Sequence, residues 1–259
     1  MSEIDSRASV SRSAIIGNGS RIGAFAVIGD EVELGVECVV EPHAVIYGPA
    51  RIGRKNHFYS FCAVGGEPQD LTFSDERVFL EIGDNNQFRE FVTVSRGTKK
   101  GGGTTRIGSD NMFMAYAHVA HDCTVGDHTI FVNGGTLAGH VRVDDHATIG
   151  AFCTIHQFCR VGRYAYIGAL TAITQDVPPF SKVVQARDVR SLGVNALGLE
   201  RHGFAPGRIK TIERAYRLLL RSKLNTSQAI ERMRATLNGS EDVSELIQFI
   251  ETAERGLIK

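Results

Sequence analysis

The sequence predicts a left-handed parallel β-helix followed by a small α-helical C-terminal domain. Three observations carry that reading. Apolar residues recur every six positions, unbroken from Ile4 through Val10, Ile28 and Phe58 to Val64, and again from Ile107 to Ile173. The position two residues before each of them is usually small, as at Ala8, Ala26, Cys38, Thr129 and Ala165. Beyond Pro178 and Pro179 the spacing changes to the three-and-four step of a helix. A period of six fits neither a helix nor a simple strand, whereas hexapeptide repeats build parallel β-helices. Each hexad supplies a short strand and a turn, three hexads make one triangular coil of eighteen residues, and coils stack at about 4.8 Å.

The coils begin almost at the N-terminus. Glycines after several apolar positions (Gly17, Gly23, Gly29, Gly35, Gly53 and Gly65) are expected to supply the backbone angles of tight corners. Near 65–81 the six-step would bury Asp70 and Glu76, which is costly for a charge, so GGEPQDLTFSDER is expected to leave the coil as a loop. Ile82, Phe88 and Val94 resume the step, and SRGTKKGGGTTR breaks it again near 95–106. Long excursions from a compact repeat are more often functional than accidental. The paired prolines are expected to end the solenoid. Pro206 to Arg221 then reads as a helix with Ile209, Ile212, Ala215, Tyr216 and Leu219 on one face. Asn225, with Gln228 three residues on, caps a second helix, and Ser240 caps a third that closes near Gly256. The expected division is 1–187 for the solenoid and 188–259 for the helical domain.

Composition narrows the class. Lys plus Arg equals Asp plus Glu at 29 each, so no basic excess points to nucleic acid. No apolar run approaches the ~18 residues of a membrane span, and the polar N-terminal stretch MSEIDSRASVSR has no signal-peptide core. A soluble, cytoplasmic protein is expected. Cys38, Cys62, Cys123, Cys153 and Cys159 all occupy the small slot, which makes them core residues rather than a disulfide or zinc set.

The stretch Ala117 to His140 interrupts the apolar pattern with His118, His121 and His140, and His156 follows one coil later. Residues eighteen apart stack. His121 therefore aligns with Gly139 and Gln157, Asp122 with His140 and Phe158, and Ala120 with Ala138 and His156. His121, His140 and His156 fall within one residue of a common line, outside the inward slots. An imidazole there can serve as a general base near neutral pH. Asp122 can orient His121 only if a turn overrides the alternation of a strand. A polar corner residue without chemistry is the competing reading, and it suits His43, His57, His128 and His146. A smooth solenoid face offers no deep pocket, so a cleft is expected from the loops or from a neighbouring subunit, which favours a homotrimer.

The motifs AHVAHDCTVG, TLAGHV, IHQFCRVG, QDVPPF, GVNALGLERHGF and RGLIK, with QDL and SRGT in the loops, resemble the UDP-N-acetylglucosamine 3-O-acyltransferases of lipid A (lipopolysaccharide) biosynthesis over essentially the whole chain. The resemblance implies an acyl-[acyl-carrier-protein]–UDP-N-acetylglucosamine O-acyltransferase, with no cofactor or metal beyond the acyl carrier protein thioester as co-substrate. It implies His121 as the base, Asp122 as its support and the Gly139 N–H as oxyanion donor. Asp70 would bind the sugar. His118, His140, His156 and Gln157 would line the nucleotide-sugar and acyl site, and Asn195 and Arg201 would hold the uridine diphosphate. Thr72, Ser95, Leu197 and His202 depart from residues usual in the family. Ala169 stands where a glycine often helps set acyl length, so a shorter or altered chain preference is expected. Arg160, Arg163, Arg208, Arg217 and Arg221 are candidates for docking the acidic carrier.

Three other readings compete. A related UDP-sugar N-acyltransferase of the same pathway shares hexads and a histidine base. A zinc hydratase of the γ-carbonic anhydrase type needs three histidines meeting across an interface. A non-catalytic scaffold would not need an aligned histidine ladder beside two loops.

Overall fold

The computed structural model describes residues 1–74, 76–185 and 189–258. Short strands line three sheets, of eleven, nine and eight strands among the described residues, parallel except at the last strand of the largest. Together they form a left-handed parallel β-helix. Pairing fixes the coil at eighteen residues: His118 pairs with Thr136 and Thr136 with Thr154, while Thr124 pairs with Arg142 and Arg142 with Arg160. The pairings that span the two excursions are longer, as for Ala63 with Thr93 and Thr93 with His118. The additional residues form the two loops, one leaving after Val64 and one after Val94.

The hexad residues fill the coil interior. Phe58, Phe88, Phe113 and Phe131 are fully buried and stack at 5.0, 5.0 and 4.8 Å between ring centroids. Dispersion within this column adds to the transfer of apolar area from water. The small slot does more than leave room. Asn56, Asn86 and Asn111 occupy it on successive coils, and each side-chain oxygen accepts a backbone N–H from the coil above, at 2.9, 2.9 and 2.7 Å. Asn56 and Asn86 also donate to corner carbonyls of Gly53, Gly83 and Gly108. Buried polar side chains survive here because they satisfy backbone groups that the turns leave unpaired.

The corners correct the expected role of glycine. Of Gly17, Gly23, Gly29, Gly35, Gly53 and Gly65, only Gly65 has positive φ. A Cβ on Gly17 would lie 2.4 Å from the Gly35 carbonyl carbon, and one on Gly35 2.4 Å from the Gly53 oxygen. These glycines let successive coils approach. The left-handed conformation falls instead on residues such as Phe61, Tyr116, Asp122, His140 and Phe158, with φ between 60° and 65°. It costs each about 1–2 kcal/mol. At Tyr116, His140 and Phe158 an inter-coil hydrogen bond from the same residue offsets this, as in His140 N–H to His121 O at 3.0 Å.

The prolines do not end the sheet. Ser181–Gln185 adds one more parallel strand, pairing Tyr166 with Lys182, and Val189–Val194 then runs antiparallel to it. The expected division at 187/188 lies outside the described residues. Helices α1 (Ala196–Arg201), α2 (Pro206–Arg221), α3 (Thr226–Thr236) and α4 (Glu241–Glu251) follow. The apolar face expected of α2 is its buried face. Asn225 and Gln228 form a reciprocal capping box, and Ser240 caps α4. The last helix stops at Glu251, short of Gly256, and the tail turns back to the solenoid through Asp176 N–H to Gly256 O at 2.9 Å and Ile258 N–H to Asp176 O at 3.0 Å. The Tyr216 hydroxyl donates to Pro179 O, tying α2 to the solenoid end.

All five cysteines are buried. Burial pushes their thiols up, those of Cys62 and Cys123 to about 12. Near pH 8 a thiol reagent should leave the folded protein unmodified and label five sites after denaturation. Rapid labelling of the folded protein, read by mass spectrometry, would contradict this placement.

Candidate active site

The site is built on one corner of the coil. Val119 ends a strand and points inward, and the chain turns through Ala120, His121 and Asp122 before the strand Thr124–Val125. Asp122 takes φ of 60°. That turn folds two sequence neighbours onto the same side, so His121 Nδ1 donates to Asp122 Oδ2 at 2.8 Å. A straight strand would have pointed them apart. With Nδ1 as donor, Nε2 is the free nitrogen of the neutral ring. The Asp122 side chain is 0 % exposed and that of His121 14 %, so the dyad is sheltered with one edge open.

The neighbouring coil completes the corner. His140 stands above Asp122, its Nε2 3.8 Å from Asp122 Oδ2. Its ring meets His121 edge to face at 5.2 Å and lies flat on Phe158 at 4.5 Å. A Cβ on Gly139 would sit 2.5 Å from His121 Cε1, so only glycine allows this approach. Among the described residues the Gly139 N–H donates to no protein acceptor.

Asp70 belongs to the same electrostatic neighbourhood. The Thr72 backbone N–H and then its hydroxyl, at 2.8 and 2.9 Å, hold the carboxyl below the usual range, and the charges of His121 and Lys100 lower it further. Lys100 Nζ donates to Thr72 Oγ1 at 2.8 Å and the Lys99 N–H to Glu76 Oε2 at 2.9 Å, so the two loops are fastened together. His118 lies on the strand before the corner, its Nδ1 2.7 Å from Thr93 Oγ1. Burial, and then the charge of His121, depresses its pKa.

Other expected residues lie elsewhere. His156 Nδ1 faces the Gln157 carbonyl and Arg255 Nη2, each at 3.1 Å, so this imidazole turns to the C-terminal tail. Gln157 is exposed. Asn195 donates through Nδ2 to Tyr164 O at 3.2 Å and precedes α1, which ends at the exposed Arg201. Tyr164 belongs to the corner column of His128 and His146, not to that of Asp122 and His140. Ala169 is exposed next to Leu170, which stands on the third corner in register with Phe152. Within one chain, the expected residues therefore occupy all three corners of the prism. Of the five arginines expected to dock a carrier, three are engaged internally. Arg160 pairs with Asp176 at 3.2 Å, Arg163 with Glu245 at 2.6 Å and Arg208 with Asp242 at 2.6 Å.

Among the described residues His121, Asp122 and His140 could together offer a metal three ligand atoms within 4.8 Å of one another. Both carboxylate oxygens already accept hydrogen bonds, Oδ1 from the Thr98 N–H and Oδ2 from the Thr98 hydroxyl and His121. The cluster is satisfied as a hydrogen-bonded dyad. Thr98 escaped the sequence reading because its partner lies across the second loop, where the eighteen-residue rule does not apply.

A family model described as "Udp N-acetylglucosamine O-acyltransferase; Domain 2" matches residues 176–258, and a bacterial transferase hexapeptide model matches residues 104–139. An acyl-[acyl-carrier-protein]–UDP-N-acetylglucosamine O-acyltransferase of Xylella fastidiosa is 47% identical over 250 residues, covering 96% of this chain and 95% of that protein. The chain belongs to the UDP-N-acetylglucosamine O-acyltransferase family. Solved relatives agree over their full length. A UDP-N-acetylglucosamine acyltransferase from Bacteroides fragilis is 36% identical with a TM-score of 0.94, covering 98% of this chain and 99% of that one. The Arabidopsis acyltransferase is 31% identical with a TM-score of 0.87, covering 99% and 100%.

Two outcomes follow from this geometry. Gly139→Ala should force His121 off its carboxylate and lower kcat at least tenfold, on the scale of about a hundredfold for a lost catalytic donor, with the fold intact by circular dichroism; an unchanged rate would contradict the close approach. His118 should titrate below the ordinary histidine value. On acidification the unfolded chain then takes up this proton first, so the group makes stability rise with pH across the histidine range. An NMR midpoint at or above 6.5, the ordinary value, would contradict that.

Proposed function

We propose that this chain moves an acyl group from an acyl carrier protein thioester to the 3-hydroxyl of UDP-N-acetylglucosamine, the first step of lipid A biosynthesis, with His121 as general base. The observation that carries this reading is the sheltered His121–Asp122 pair beside the Gly139 N–H, which has no protein acceptor among the described residues, in a chain of this family. His121 Nε2 takes the proton from the sugar hydroxyl as its oxygen attacks the thioester carbonyl. The carbonyl oxygen becomes an oxyanion, which the Gly139 N–H would stabilise. Collapse expels the carrier thiolate, and the proton on His121 passes to the sulfur. The ester forms, the thioester breaks, and no cofactor or metal enters the balance.

Asp70, held by Thr72 at the loop edge, is assigned to the sugar. His118, His140, His156 and Gln157 are assigned to the nucleotide-sugar and acyl surfaces, and Asn195 and Arg201 to the diphosphate. The distribution of these residues over three corners supports a homotrimer: a corner of one subunit set against a different corner of its neighbour gathers a site that one prism leaves dispersed. Arg217 and Arg221, in a shallow groove of α2 with Leu192 and Tyr216, remain for the acidic carrier. No helix among the described residues is long and apolar enough to cross a membrane. Cytoplasmic action belongs to the same reading, since both activated substrates are intracellular carriers. Ala169, in place of a smaller residue, points to a shorter or altered acyl chain.

The test is a matrix of acyl carrier thioesters against UDP-sugars, read as initial rates. Transfer to UDP-N-acetylglucosamine should dominate, and His121→Ala should lower kcat by about 10²–10⁴ in a folded sample. Preference for an amino sugar would favour the N-acyltransferase reading, and full activity of His121→Ala would remove the proposed base. A rate profile peaking at the longest chains would contradict the assignment of Ala169.

A further inference from the structure

We propose that Thr98, on the second excursion loop, is the positioning residue that aims the Asp122 carboxylate at His121. The inference rests on the reading of His121 as base and adds a residue to it. The backbone N–H of Thr98 donates to Asp122 Oδ1 at 2.7 Å and its hydroxyl donates to Oδ2 at 2.6 Å. One residue thus grips both oxygens, and the plane of the carboxylate is set from outside the coil. Oδ2 is the same oxygen that receives His121 Nδ1. The hydroxyl has a defined direction, because Thr98 Oγ1 also accepts the Gly101 N–H at 3.2 Å, leaving its own proton for Asp122.

The loop is made to hold this position. Thr98 is 3% exposed and Asp122 is closed from water on its side-chain face. Thr98 precedes the 3-10 turn Lys99–Gly101, and its carbonyl accepts the Gly103 N–H at 2.7 Å. Phe79 and the loop exchange two further bonds, Phe79 N–H to Gly103 O at 2.8 Å and Gly97 N–H to Phe79 O at 3.1 Å. A Cβ on Gly101 would lie 2.0 Å from Asp122 Cγ, so the loop backbone rests directly on the carboxylate. From below, the Asp122 N–H donates to Thr105 Oγ1 at 2.8 Å, which fixes the residue at its root. The excursion therefore acts on the chemistry through Asp122, without any contact of Thr98 with the reacting atoms being needed.

The experiment compares Thr98→Val, which keeps shape and backbone N–H but loses the hydroxyl, with Thr98→Ser, which keeps the hydroxyl. Both are also made in an Asp122→Asn background, and all are assayed as full-length protein with acyl carrier thioester and UDP-N-acetylglucosamine. Thr98→Val should lose about ten- to a hundredfold in kcat, the usual range for a supporting group. Its KM for the sugar should stay within about twofold, because uniform binding is untouched. Thr98→Ser should recover most of the rate. In the Asp122→Asn background Thr98→Val should cost nothing further, as expected when two residues act as one chain. A wild-type kcat for Thr98→Val, or the same fractional loss with and without Asp122, would overturn the proposal. Thr98→Ala replaces Thr98→Val if the latter does not fold. The parallel His121→Ala control separates the two failures: its full activity sinks the base assignment, whereas its inactivity beside an unimpaired Thr98→Val sinks only this inference.

Discussion

Main-chain pairing between strands eighteen residues apart is the constraint on which the rest of the molecule depends. It sets three corners on every coil and holds each in line with the corner above. The apolar hexad residues supply the driving force, but they would tolerate a slip of register. The buried column of Asn56, Asn86 and Asn111 resists one, because each side chain accepts a specific backbone N–H of the next coil, the last from Thr129. A slip would leave those polar atoms unpaired in a dry interior, at about 1–3 kcal/mol each.

The proposed catalytic arrangement draws directly on that constraint. A corner must turn through a left-handed residue, and at this corner the residue is Asp122. The strain of the turn is what brings a histidine and the carboxylate beside it onto one side. The coil above then supplies Gly139, small enough to lie against the imidazole, and His140 over the carboxylate. Thr98 descends from the loop onto the same group. Rigid coils thus determine the height and spacing of the site, and the excursions finish it.

Much of this was legible in the residues. The hexad step located the buried positions, the charged misfits Asp70 and Glu76 marked the first loop, and the eighteen-residue rule placed Gly139 beside His121. The apolar face of α2 and the caps of α3 and α4 were equally plain. Other features were not. Periodicity says where a corner lies but not which residue bears positive φ, so the glycines were assigned a conformational role when their role is close approach. Small polar residues in the core slot carry no signal of the bonds they make between coils. The strand after Pro179 was missed because prolines remove a donor without preventing the next residues from pairing. Arg160, Arg163 and Arg208 looked like free surface charge until Asp176, Glu245 and Asp242 came to meet them from distant parts of the chain.

The central claim is that the turn at Asp122 fixes the His121 ring with its Nδ1 proton on the carboxylate and its Nε2 free for the substrate. Nitrogen-15 NMR of histidine-labelled protein reads this directly, with His121→Asn to assign the signal. The account predicts that neutral His121 is a single tautomer carrying its proton on Nδ1, and that Asp122→Asn turns it into a mixture. A proton resting on Nε2 in the wild-type protein, or a tautomer indifferent to Asp122→Asn, would contradict it.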